Sequence, residues 1–318
     1  MRTVRPRRLG VPPSKVPVLP GIGNNHSMAE IIQKDGTWVL DGDILRLTPG
    51  RDRNVSLLRK ELGELTVPLR ALAGISFEQG RKSGRLRLRL RDGADPLLQA
   101  TGGKLAEPND PYQLGVEADR YGVAEYLVDE VKTALLLDEV PSGAVDRYLL
   151  PGPAVPLSVS AGDGTATFDG ECVRLEWNWK TEDAKAAAGA RSLAVADITA
   201  VEWHPAVGLE NGYLRFSVRH APTKAPPKYD PSSVELWGFK KDPLMALVAA
   251  AVQARLPHPG APLADVPPQR HKELAAPPVE HDHDALLRRL RELGELHRTG
   301  VLTDDEFAHA KQAVLKRM

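Results

Sequence analysis

Asp35-Gly36-Thr37-Trp38-Val39-Leu40-Asp41-Gly42 returns in outline 128 positions later as Asp163-Gly164-Thr165-Ala166-Thr167-Phe168-Asp169-Gly170. Asp-Gly is hairpin chemistry, because glycine accepts the positive φ that a tight primed turn demands. Two such turns a few residues apart frame a strand in each copy, at residues 37–40 and 165–168. The aspartates are expected to serve the turns. The phrase contains no nucleophile, general base or metal cage. It speaks of architecture.

Working outward, the same order of elements appears twice. In the first copy apolar residues alternate from Ile31, and strand patterns follow at residues 44–47, 65–69 and 73–77. The strictest alternation is Arg85-Leu86-Arg87-Leu88-Arg89-Leu90-Arg91, ended by Asp92-Gly93. Beyond a loop carrying Pro108-Asn109-Asp110-Pro111, a strand at residues 112–116 precedes a helix over about residues 123–136. That helix carries Val123, Leu127, Val131 and Leu135 on one stripe. In the second copy Leu193-Ala194-Val195 stands where Val67-Pro68-Leu69 stands, and Gly212 to Arg219 is in register with Gly84 to Arg91. A last strand at residues 234–237 and a helix over residues 244–256 close it. Polar loops interrupt both copies, at residues 51–64, with a short helical turn expected at 55–62, and at residues 178–191. Matches in one order, with length differences confined to loops, identify an internal duplication.

About a hundred residues of antiparallel strand ending in one helix must bury one sheet face, and the helix can cover an open end. This order resembles that of the bacterial pleckstrin-homology-like (PH-like) domains. The fold class expected is therefore mainly β (α+β): two tandem PH-like barrels or sandwiches, over residues 28–140 and 152–256, each closed by a C-terminal helix. A linker at residues 257–281 holds seven prolines and should be semi-stiff and extended. Residues 282–318 read as a short α-hairpin. Asp284 caps a helix bearing Leu286, Leu287, Leu290, Leu293 and Leu296, which stops at Gly300. Thr303-Asp304-Asp305-Glu306 is a capping box that opens a second helix with Phe307, Ala310, Val314 and Leu315 on its apolar side. Leu290, Leu293, Leu296, Gly300, Leu302, Thr303, Glu306 and Phe307 resemble the C-terminal hairpin known as SHOCT. Taken together, about residues 29–318 resemble a bacterial (actinobacterial-type) family of unknown function with tandem PH-like repeats followed by that hairpin. The resemblance implies architecture and no activity.

Composition narrows the classes further. The 42 basic and 42 acidic residues cancel, so no global field draws the chain to nucleic acid or membrane. No nucleic-acid partner is expected. The single cysteine, Cys172, excludes an intrachain disulfide and fits a reducing compartment. The longest apolar stretch, around Leu244 to Leu256, is far shorter than the roughly 20 residues that span a bilayer. Residues 1–27 carry Arg2, Arg5, Arg7, Arg8 and Lys15 with no signal-peptide core. They form either a disordered basic arm or sequence upstream of a true start at Met28.

Several residues invite a functional reading. Arg85, Arg87, Arg89 and Arg91 share one strand face while Leu86, Leu88 and Leu90 point to the core, and Arg81 and Lys82 extend the patch. Guanidinium rows suit phosphate or carboxylate partners. The plainer explanation is a solvated face, neutralised by cross-strand acids and protected against aggregation. Arg51, Arg53, Arg59 and Lys60 lie where inositide-binding PH domains hold basic side chains, but Asp52, Glu61 and Glu64 offset them. His281-Asp282-His283-Asp284 has metal-donor chemistry without preorganisation, and no metal or cofactor is assigned. His204, beside Trp203, lacks a spaced partner carboxylate and reads as a loop residue. No phosphate loop, nucleophile elbow or His-Cys pair occurs, so an enzyme is not expected.

The terminal hairpin has too few residues for a self-sufficient core and needs a partner surface. Leu290, Leu293, Leu296, Leu302, Phe307 and Val314 are its interface candidates. The expectation is a non-enzymatic binding or scaffold protein of the cytoplasm that self-associates or recruits a protein partner through this hairpin. The alternative is peripheral attachment to an anionic membrane, at its inner face, through the arginine strand.

Overall fold

The computed structural model describes residues 28–219 and 225–261. The basic arm, most of the Pro-rich linker and the C-terminal hairpin lie outside the described residues. The first repeat contains β1 (Ala29–Gln33), β2 (Gly36–Asp41), β3 (Ile44–Pro49), α1 (Leu57–Leu62), β4 (Leu65–Pro68), β5 (Leu72–Glu78), β6 (Ser83–Leu90), α2 (Pro96–Thr101), β7 (Gln113–Glu117) and α3 (Tyr121–Leu137). The second contains β8 (Leu157–Ala161), β9 (Gly164–Phe168), β10 (Cys172–Trp177), α4 (Asp183–Ala187), β11 (Arg191–Ala194), β12 (Ile198–His204), β13 (Gly212–Val218), β14 (Ser233–Leu236) and α5 (Met245–Gln253). Each repeat has a four-stranded sheet, β1-β2-β3-β4 or β8-β9-β10-β11, and a three-stranded sheet, β5-β6-β7 or β12-β13-β14. All pairings are antiparallel. The described residues are mainly β with few helices, and the duplication is visible strand for strand.

Alternation sets the buried faces. In β2, Gly36, Trp38 and Leu40 turn inward, and Trp38 pairs with Leu47 and Leu40 with Leu45 of β3. In β9, Gly164, Ala166 and Phe168 do the same, with Ala166 opposite Leu175 and Phe168 opposite Val173. A one-residue slip would turn every one of these side chains to solvent, so the pattern fixes the register.

The glycines of the repeated phrase divide into two kinds. Gly42 and Gly170 take φ values of 64° and 114°, as their turns require. Gly36 and Gly164 instead begin strands, where the need is space and not positive φ. A Cβ on Gly36 would lie 2.9 Å from the Thr48 carbonyl oxygen, and one on Gly164 would lie 2.7 Å from that of Glu176. The left-handed residue of the second β-turn is Gly162, at φ 57°.

The two repeats are not beads on a string; they belong to one compact unit. Their contact rests on α2, in a segment expected to be loop. Asp95 accepts from the amides of Leu97 and Leu98 at 3.0 and 3.1 Å, Pro96 opens the helix, and Gly102 closes it at φ 56°. Asp-Pro at the start and Gly-Gly at the end are helix signals within the sequence. Leu97 and Ala100 of α2 join Leu58 in the core of the second repeat. There they meet α5, all nine residues of which are buried. Met-Ala-Leu-Val-Ala-Ala-Ala-Val-Gln is apolar on all sides, as an enclosed helix must be. Its counterpart α3 buries only Ala124, Leu127, Val128 and Val131, so the inward stripe lies slightly off the expected one. Leu136 and Leu137 remain exposed. The connection between repeats is strapped down as well. Gln253 Nε2 donates to Tyr148 Oη at 2.8 Å, and the His258 ring lies 2.9 Å from the Gly93 carbonyl oxygen.

Candidate functional site

Two ionic knots occupy equivalent places in the repeats. In the second, Asp163 of the β8–β9 turn accepts the Glu235 amide of β14 at 2.8 Å through Oδ1. Through Oδ2 it accepts from Lys185 Nζ of α4 at 2.6 Å. Lys185 also donates to the Pro227 carbonyl at 3.2 Å and sits 4.5 Å from the Trp177 ring centroid. Burial pushes the Asp163 carboxyl up and the Lys185 ammonium down, each towards its neutral form, while their mutual bond and attraction oppose both shifts. In the first repeat, Asp35 accepts the Gly115 amide of β7 at 3.1 Å and pairs with Arg59 of α1 at 3.5 Å. Asp35 and Asp163 therefore do more than serve their turns: each ties the two sheets of its repeat to the short helix in the polar loop. Asp169 serves its own turn, accepting the amides of Glu171 and Cys172 at 2.8 and 2.7 Å.

This placement changes the reading of the basic loop. Arg59 is buried against Asp35, with its Nη2 also donating to the Asp35 carbonyl at 3.0 Å, and so does not face a phosphate. Lys185 is likewise enclosed.

The arginine strand has the expected orientation. Leu86, Leu88 and Leu90 are buried, and the arginines point the other way. Arg85 and Arg87 share the Glu107 carboxylate at 2.5 and 3.4 Å. Arg89 donates to the Ala73 carbonyl at 3.4 Å. Arg91 donates to the carbonyls of Gly143 and Arg70 at 2.7 and 3.0 Å, holding the connection between repeats. Arg81 and Lys82 are exposed on the β5–β6 turn. An open cleft of about 580 Å³ runs beside Arg87 and Arg89, with Glu78 and Asp110 on its walls. The row is thus partly neutralised and partly structural. Leu290, Leu293, Leu296, Leu302, Phe307, Val314 and the His281–Asp284 stretch lie outside the described residues.

Other features were not legible as sites. His204 ends β12 instead of lying in a loop, stacks on Tyr213 with centroids 4.7 Å apart, and approaches Lys104 Nζ of the other repeat at 3.1 Å. Burial, and then the Lys104 charge, lowers its pKa. A cleft of about 450 Å³ lies here between α2, β12 and the end of α5. At the opposite extreme of exposure, Trp179 and Phe239 stand in solvent on the loops after β10 and β14. Their isolation within polar loops gave no periodic signal.

The chain is an assembly of two like modules, and the comparison with known families divides it the same way. Residues 38–132 and 166–253, more than half of the chain, match the domain of unknown function DUF4429, and the chain belongs to that family. The segments run from within β2 into α3 and from within β9 to the end of α5, so each falls inside one repeat. No curated protein matches the chain.

Proposed function

We propose that this chain is a non-enzymatic binding and scaffold protein. Two PH-like modules form its body, and a SHOCT-like hairpin at residues 282–318 mediates self-association or recruits a protein partner. The observation that carries this reading is the use made of the desolvated ionisable groups. Asp163 and Lys185 are engaged with each other, and Asp95 is engaged with two helix amides and the Tyr112 hydroxyl. Catalytic acids, bases and nucleophiles need access to a substrate, whereas these groups close the frame. The four-plus-three strand pattern and terminal helix of each repeat support the PH-like assignment. Among the described residues, no helix is long and apolar enough to cross a membrane. Attachment to an anionic membrane through the arginine strand is the weaker reading, because Glu107 and several carbonyls already occupy that face.

The test places Leu293→Asp and Leu296→Asp together in the full chain. Size-exclusion light scattering should show a lower mass, or affinity purification should lose a partner. If both measurements match the wild type, the role given to the hairpin is wrong.

A further inference from the structure

The cleft between α2, β12 and the end of α5 is walled on one side by a strand edge. Six consecutive residues of β12, Thr199 to His204, line it. Successive side chains of a strand point to opposite faces, so a cavity that meets all six runs along the edge and not over one face. β12 is an end strand of its sheet, and among the described residues it pairs only with β13.

The register shows which groups that edge presents. Phe216 of β13 donates its amide to the Ser232 carbonyl, on the β14 side, at 2.9 Å. Its N–H and C=O therefore face away from β12, and so do those of Leu214, two residues back, which pairs with Val234 of β14. Residues directly opposite one another in an antiparallel ladder share this state. Val201 is opposite Phe216 and Trp203 is opposite Leu214, so the N–H and C=O groups of Val201 and Trp203 point out of the sheet into the cleft. Among the described residues these four groups have no hydrogen-bond partner, although Val201 is only 5% exposed and Trp203 3%. Buried backbone groups of folded proteins are nearly always paired.

Those groups define what fits there. A donor and an acceptor on one residue, repeated two residues on at a spacing of about 7 Å, match the backbone of a further strand. A helix uses its N–H and C=O groups internally, and a small anion accepts without donating. The opposite wall, from α2 and the end of α5, offers Ala100, Leu256, Pro257 and Pro259. A strand seated on the edge would turn an apolar side chain to that wall at every second position. Lys104 and Glu202 both line the cleft and offset each other, so recognition rests on the backbone. The β12 edge of a second copy is equally enclosed, and two such edges do not reach one another. The occupant is a single extended segment.

We propose that the edge of β12 takes an extended peptide segment of another protein as an added strand. This surface belongs to the body and is independent of the hairpin at residues 282–318. The test pans a phage-displayed library of linear peptides, about six residues long to match the strand, on the full chain. Enriched peptides should alternate apolar and polar residues, and the best of them is synthesised, labelled and measured by fluorescence polarisation. Methylating its backbone amides one at a time should weaken binding about ten-fold or more at alternate positions and little between them. Hydrogen exchange should slow at the Val201 and Trp203 amides when the peptide is bound. Gln99→Trp, at an exposed position lining the cleft, should weaken binding by a similar factor with the melting temperature unchanged, and Lys132→Trp, exposed on α3, should bind as the wild type does. No enrichment over an uncoated surface, methylation effects without alternation, or unaltered exchange at both amides overturns the proposal. A dimer in size-exclusion light scattering that Gln99→Trp dissociates also overturns it and assigns the edge to a second copy.

Discussion

Lys185 Nζ and Asp163 Oδ2 lie 2.6 Å apart with their side chains 0% and 2% exposed, whereas the equivalent Arg59 and Asp35 are 3.5 Å apart with Asp35 36% exposed. The same knot is thus drawn dry in one repeat and left wet in the other. A buried ion pair stabilises weakly as a pair but is costly to break, because the remaining charge stays desolvated.

That asymmetry predicts unequal costs. Lys185→Ala should destabilise the protein by about 3–5 kcal/mol in denaturant unfolding, since Asp163 is left buried and unpaired. Combining Lys185→Met with Asp163→Asn should recover a good part of the loss. Arg59→Ala should cost less than Lys185→Ala, because water reaches Asp35. Equal losses at the two positions would show that burial does not govern the knots.

The α2–α5 contact should make the two repeats unfold as one cooperative unit. Leu97→Ala should cost about 2–5 kcal/mol, as for other buried leucines. Ala100→Glu, which drives a charge against α5, should split the single calorimetric transition expected of the wild type into two. Two transitions already present in the wild type would refute the coupling.

Close approach makes Gly162 the least replaceable residue of the repeated turn. A Cβ there would lie 1.7 Å from the Glu235 carbonyl oxygen, at a φ of 57°. Gly162→Ala should therefore fall among the largest single-site losses, about 4 kcal/mol or more. Gly143→Ala, with nothing within 4 Å of the added carbon, should leave the melting temperature nearly unchanged. Similar melting temperatures for the two variants would contradict this contrast.

His204 should give the fold a mild acid sensitivity. Its folded pKa is lowered from the ordinary 6.5, chiefly by burial and then by Lys104. The unfolded imidazole therefore takes up its proton first as pH falls. The stability this residue contributes is fully present above about pH 6.5 and is lost as pH drops through the lower folded value. Melting temperatures of the wild type and His204→Asn, measured from pH 7.5 to 5 (roughly the histidine range), should converge or cross on acidification. A constant difference would show that His204 titrates alike in both states.

Alternation and turn chemistry act over a few neighbouring residues, and so the sequence alone determined the strands, the duplication and the inward leucines of Arg85-Leu86-Arg87-Leu88-Arg89-Leu90-Arg91. It also carried the signals for α2 in Asp95-Pro96 and Gly102-Gly103, and the enclosure of α5 in the apolar run from Met245. Only the tertiary structure decided which charges leave water. Arg59 and Arg53 look alike in the sequence, yet one reaches Asp35 across 24 positions while the other stays in solvent. Lys180 and Lys185 differ as sharply, one among exposed rings and one in a dry knot. Burial is set by groups brought from distant parts of the chain, so no local pattern could separate a structural cation from one free to meet a partner.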